Sequence, residues 1–165
     1  MPTNDTTPIL ARWRAQLQNV ECSPLDFLDL VQTSVEETFF PGIEFSNVLR
    51  REGSFFSLDR VYLRIRHDRL YFDVSAFVAG RTLSVSYWLH EDPPGLRDLF
   101  SEIPGLGAVL THVLDRPTYY RVDAIETVQH LIHDAILRVC DRLAEETRNP
   151  VLPDEERQPV WEAIW

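Results

Sequence analysis

RVYLRIRHDRLYFDVSAFVAGRTLSVSYWLHE, residues 60–91, decides the fold, because its apolar side chains recur at every second position. Val61, Leu63 and Ile65 alternate with Tyr62, Arg64 and Arg66. Leu70, Phe72, Val74, Ala76 and Val78 alternate with Tyr71, Asp73, Ser75 and Phe77. Leu83, Val85, Tyr87 and Leu89 alternate with Thr82, Ser84, Ser86 and Trp88. A period of two is the signature of strands, so the stretch reads as a three-stranded antiparallel meander. Two-residue loops at His67-Asp68 and Ala79-Gly80 pair Ile65 with Leu70, Leu63 with Phe72, Val74 with Val85 and Phe72 with Tyr87. Every apolar residue then meets another, whereas a one-residue slip would send each to the wrong face.

The opposite face of this meander carries the functional expectation. It presents Tyr62, Arg64, Tyr71, Asp73, Phe77 and Trp88, with Arg64, Tyr71 and Trp88 expected in one row and Tyr62, Asp73 and Ser86 in the next. Aromatic residues and Arg are enriched at the centres of protein interfaces, and an ordinary solvated face would carry Lys, Glu and Thr instead. Two readings compete: a partner binds there, or another part of the chain covers the patch.

Working outward, Thr7-Pro8 resembles a helix cap with proline at the first turn, and Ile9, Trp13 and Leu17 make a stripe at spacing four, which predicts a short first helix. Ser23-Pro24 with Asp26 repeats the signal, and Leu28, Val31, Val35 and Phe39 predict a second helix ended by Pro41-Gly42. Residues 43–58 suit either a helical turn or an edge strand, and a fourth strand is favoured. Leu96 to Ile103 and Leu106 to Val113 suggest two short helices. Thr118 to Glu146 is the longest helical pattern, its stripe of Val122, Ile125, Val128, Ile132, Ala135, Ile136, Val139 and Leu143 wide enough to lie on the aliphatic sheet face. The expected fold is therefore α+β: a three- to four-stranded antiparallel meander packed by helices in one domain over residues 1–150. Residues 151–165 form an extended, Pro-rich, acidic tail ending in a Trp cluster. Disordered tails rarely carry such aromatics, so Trp161 and Trp165 are expected to dock, on the sheet face or beside Trp13.

Composition narrows the function classes. The chain has 165 residues and a formal net charge of −10, which argues against a nucleic-acid partner. Residues 44–81 carry seven Arg against five acids, a local +2. All 16 basic residues are Arg, which excludes lysine chemistry such as a Schiff base or a phosphate-loop lysine. Two cysteines, Cys22 and Cys140, form neither a disulfide framework nor a zinc motif. The N-terminus lacks the pattern of a signal peptide, and no apolar run reaches membrane-spanning length, so no membrane partner and a cytoplasmic location are expected.

Candidate chemistry is sparse. Glu126, His130 and His133 share a helix face, but the histidines lack the four-residue spacing of a metal helix, so no metal and no cofactor are expected. Cys22 precedes a helix with no base near it in sequence, and Cys140 reads as a small buried apolar group. Arg64, Tyr62 and Asp73, with Ser86 and His67, have the groups to hold a phosphate or carboxylate, yet no catalytic motif accompanies them. The outline of a small acidic chain with helices around an antiparallel sheet resembles bacterial secretion chaperones and adaptor domains, a likeness of architecture that carries no residues across. The leading expectation is a non-enzymatic protein-binding module, of adaptor, chaperone or immunity type, that uses Tyr62, Arg64, Tyr71, Asp73, Phe77, Trp88, Trp161 and Trp165 against a protein or peptide. A small-molecule binder or hydrolase on the same face, and a structural homodimer, are the alternatives.

Overall fold

A computed structural model describes residues 9–51, 59–92 and 119–162. In chain order they form β1 (Ile9–Gln18), α1 (Pro24–Glu36), β2 (Ile43–Arg51), β3 (Asp59–His67), β4 (Leu70–Ala79), β5 (Thr82–Glu91), α2 (Tyr119–Glu146), a 3-10 turn (Asp154–Glu156) and β6 (Val160–Trp161). The strands make one antiparallel sheet in the order β2-β3-β4-β5-β1-β6, six strands where three to four were expected. The two short helices expected between Leu96 and Val113, the Thr7-Pro8 cap and Trp165 lie outside the described residues.

The meander keeps its expected faces, but both turns fall one residue later. His67 pairs with Leu70 and Ala79 with Thr82, so the loops are Asp68-Arg69 and Gly80-Arg81. In each, the first loop residue takes the left-handed conformation, Asp68 at φ 53° and Gly80 at φ 65°. Glycine adopts it without steric cost and Asp tolerates it, which places those residues first in their loops. The pairs therefore become Ile65 with Phe72, Leu63 with Val74, Val74 with Tyr87 and Phe72 with Leu89. Parity survives the shift, so Leu63, Ile65, Phe72, Val74, Leu83, Val85, Tyr87 and Leu89 are all buried in one core.

The expected first helix is a strand. β1 inserts beside β5, with Ala11 opposite Leu89, Trp13 opposite Tyr87, Ala15 opposite Val85 and Leu17 opposite Leu83. These four are buried while Arg12, Arg14, Gln16 and Gln18 are exposed, an alternation hidden in the sequence because two of the inward residues are only Ala. A register irregularity between Ile9 and Ala11 leaves Leu10 as an extra residue, also buried. β2 confirms the fourth strand and pairs with β3 along its length.

Both expected longer helices form. Ser23 caps α1: its Oγ accepts from the Asp26 amide at 3.1 Å and donates to Asp26 Oδ2 at 2.7 Å. Phe27, Leu28, Val31 and Val35 are buried, but Phe39 is 91% exposed, because the helix stops at Glu36 and Phe39, at φ 52°, has left its period. Along α2 the expected stripe is buried from Ile125 to Leu143, with Val122 half-buried and Cys140 fully buried. Ser34 Oγ donates to the Ala135 carbonyl at 3.0 Å, locking α1 on α2. No helix among the described residues is long and apolar enough to cross a membrane.

Candidate functional site

The second sheet face is built from rows across the strands. The corrected turns put Ser46, Arg64, Asp73, Trp88 and Arg12 in one row, where Tyr71 had been expected in place of Asp73. Asp73 is 2% exposed, and Arg64 grips it as a two-pronged fork, Nε to Oδ1 at 2.7 Å and Nη2 to Oδ2 at 2.8 Å. The guanidinium lies over the Tyr71 ring at 4.3 Å, and that ring stacks on His90 at 5.0 Å. Tyr62 meets Trp88 at 6.1 Å, Arg60 covers Phe77 at 4.7 Å, and Ser75 bonds Ser86 at 3.2 Å. Tyr62, Tyr71 and Asp73 are buried within the chain, whereas Arg64, Phe77 and Trp88 are half-buried. This face is thus an internally paired polar-aromatic layer over much of its extent, not an open patch.

A second constellation sits on the core side and was not anticipated. Gln129 Nε2 donates to Tyr87 Oη at 2.9 Å, Tyr87 Oη contacts His133 Nδ1 at 3.2 Å, and His133 Nε2 contacts the Arg157 carbonyl at 2.6 Å. A carbonyl only accepts, so Nε2 carries the proton and Nδ1 accepts from the Tyr87 hydroxyl, which in turn accepts from Gln129. Trp13 packs against both rings, 5.9 Å from Tyr87 and 5.3 Å from His133, and its Nε1 donates to the Glu156 carbonyl at 2.7 Å. Arg157 forks onto Asp141, both bonds at 2.8 Å, and this pairing raises the guanidinium pKa further. Sheet, helix and tail are therefore joined at one polar knot. Its donors and acceptors are spent on one another, except Gln129 Oε1, which is buried and has no partner among the described residues.

Burial raises the Tyr87 phenol well above its ordinary value of 10 and lowers His133 below 6.5, so both are neutral at pH 7. The charged groups around His133 are Asp134, His130 and Arg157, and their influence is smaller than that of burial. A histidine whose folded pKa is depressed leaves the unfolded chain with more protons, so stability is full above about 6.5 and declines as pH falls through it. We expect stability to fall between about pH 7 and 5.5, an effect absent in His133→Gln. Urea titrations across that range check this; parallel pH slopes for the two proteins would refute it.

The remaining expected sites divide. Glu126, His130 and His133 share a helix face, but the first two are exposed while His133 is covered by Trp13, Tyr87 and the Arg157 carbonyl, and no metal-ligand cluster occurs among the described residues. The Cys22 thiol is raised, by burial first and then by Asp26 and Glu146, and Cys140 is pushed up to about 12 by burial; neither thiol is activated. His67 lies away from the Arg64–Asp73 fork, its Nδ1 3.2 Å from the Gly42 carbonyl.

The outer edge of β1 is the third feature. β6 pairs antiparallel with only two of its residues, Trp161 with Ala11 and Val160 with Arg12, and the Glu162 amide donates to the Leu10 carbonyl at 2.9 Å. At the other end Asn149 Nδ2 donates to the Gln18 carbonyl at 2.6 Å. Gln18 and Arg12 thus face outward, and by strand alternation so do the main-chain N–H and C=O of Arg14 and Gln16 between them. There the tail leaves the edge, as residues 154–156 coil into the 3-10 turn. A groove of about 450 Å³ remains, with Arg14, Gln16 and Leu17 on one wall and Val151, Leu152 and Glu156 on the other. Trp161, opposite Ala11, is 36% exposed and does not line the groove.

Comparison with known proteins adds little. No family model and no curated protein matches the chain. One solved structure, the di-domain ARO/CYC StfQ from the steffimycin biosynthetic pathway, aligns at 12% identity over 85% of this chain and 52% of that one, with a TM-score of 0.23. The chain spans about half the length of that protein, and a likeness at this level carries no argument about fold or activity.

Proposed function

We propose that this is a non-enzymatic protein-binding module that recognises its partner by main-chain pairing along the outer edge of β1. The observation that carries the reading is the stretch of that edge between the β6 pair at Arg12 and the Asn149 clamp at Gln18, bordered by the tail and without a strand partner among the described residues. An unpaired strand edge beside a groove is the geometry of strand addition, in which backbone bonds supply affinity and side-chain pockets supply selectivity. The second sheet face contributes where it is accessible, through Arg64, Phe77 and Trp88. Arg14, exposed on the same face, fits an acidic partner.

The test is affinity capture with the full chain, comparing wild type, Gln16→Pro and Trp88→Ala. Proline at Gln16 removes an outward N–H and leaves the β5 ladder intact, since the bonds to β5 belong to the alternate residues. Proteins recovered by wild type are expected to be lost with Gln16→Pro at an unchanged melting temperature. Equal recovery by Gln16→Pro refutes the edge as the binding surface, and loss confined to Trp88→Ala moves it to the sheet face.

A further inference from the structure

Resting on that reading, we infer that the occupant of the β1 groove is a short extended peptide, about five residues long, running antiparallel to β1 with alternating apolar and polar side chains and an acid opposite Arg14. The direction follows from β6, which already occupies this edge antiparallel over Ala11 and Arg12. An incoming strand continues that ladder and needs no change in it. The length follows from the two closed ends, Val160 on Arg12 and Asn149 on Gln18, which leave Trp13 to Leu17. The tail also follows the edge on the helix side, since it bonds Gln18 at Asn149 and the Trp13 indole at Glu156. A ridge placed there admits a single strand and obstructs the broad sheet edge of a second copy.

The side-chain pattern follows from the two faces. Residues opposite Trp13, Ala15 and Leu17 turn toward the helix side, where Leu152, Ala144 and Val20 line the groove, and are apolar. Those opposite Arg14 and Gln16 turn toward the second face, where Arg14 is exposed and selects a carboxylate. These two are also the residues that exchange N–H and C=O bonds with the edge, because Arg14 and Gln16 supply the outward groups.

The probe is a synthetic, end-blocked Val-Thr-Val-Glu-Val peptide, titrated into isotope-labelled full-length protein. Amide resonances of Arg14 and Gln16 are expected to shift saturably and to exchange more slowly with solvent. The same peptide N-methylated at Thr and Glu, which lacks the two pairing N–H groups, is expected to bind at least about tenfold more weakly. Unmoved Arg14 and Gln16 amides at millimolar peptide, or equal binding of the methylated form, overturns the inference. Amides already protected in the free protein in proportion to its concentration overturn it in favour of a second copy as occupant. A null peptide titration beside a capture lost with Gln16→Pro leaves the edge in use and rejects only this occupant, so the two readings fail separately.

Discussion

Phe72→Ala is expected to lower the unfolding free energy by about 3–5 kcal/mol, while Ser84→Ala, one strand away, leaves it unchanged or raises it by about 1 kcal/mol. Phe72 lies at the centre of the helix-facing side, fully buried, paired with Ile65 and Leu89 and edge-on to Tyr87 at 5.6 Å. Truncation there loses the transfer energy of a ring and leaves a cavity that strands held on both sides cannot collapse. Ser84 is also buried, at 3% exposure, but its hydroxyl has no hydrogen-bond partner among the described residues. Its replacement by a methyl removes an uncompensated polar group, so the absence of a loss has a different cause from that of a solvated serine. Chemical denaturation of both variants decides the matter. Equal losses would mean that the two sides of the sheet have been misassigned.

Deleting residues 151–165 is expected to destabilise the fold by about 2–4 kcal/mol, which at this size lowers the melting temperature by roughly 5–15 °C. The deletion removes Leu152 from the core and the Arg157 partner of Asp141, and it strips the acceptors from Trp13 Nε1 and His133 Nε2. Water reaching the vacated donors softens the polar part of the loss, so the apolar contact with Leu152 is the larger share. Thermal melts and light scattering of full-length and truncated protein, over a concentration series, give the comparison. Identical melts would show that the tail is not held by this knot. Melts that differ only at high concentration would place its dock on a neighbouring molecule.

How much of this was legible depends on how sharply side-chain size reports depth. The meander announced its two faces because large apolar groups alternate with polar ones, and a two-residue error in pairing cannot change that parity. The turn positions were missed because Ala79-Gly80 and Gly80-Arg81 share the glycine, and only the backbone decides whether it comes first or second. β1 was misread because Ile9, Trp13 and Leu17 stand four apart while the intervening Ala11 and Ala15 are too small to register as core. The polar knot did leave a trace: Gln129 and His133 are four apart and lie among Ile125, Ile132 and Ile136 on the buried side of α2. Polar residues at stripe positions signal a satisfied network, whereas grouping His133 with His130 and Glu126 drew attention to their shared face and away from its border with the stripe, where His133 is buried. The groove had no sequence trace, because it arises where a strand edge outruns its neighbour.

The place of β1 also sets the order in which the polypeptide can assemble on the ribosome. β3, β4 and β5 close through adjacent hairpins as soon as each is made, but β1 waits for partners far along the message. Gln18 meets Thr82 across 64 residues, and Trp13 meets Glu156 across 143. Loop closure over such spans is the slow part of folding, and until it happens the alternating Ala-Arg-Trp-Arg-Ala strand is presented bare on the nascent chain. The β1 strand therefore lacks the last of its contacts until residues 156 and 157 have been made, since Trp13 awaits the Glu156 carbonyl and the knot closes at Arg157.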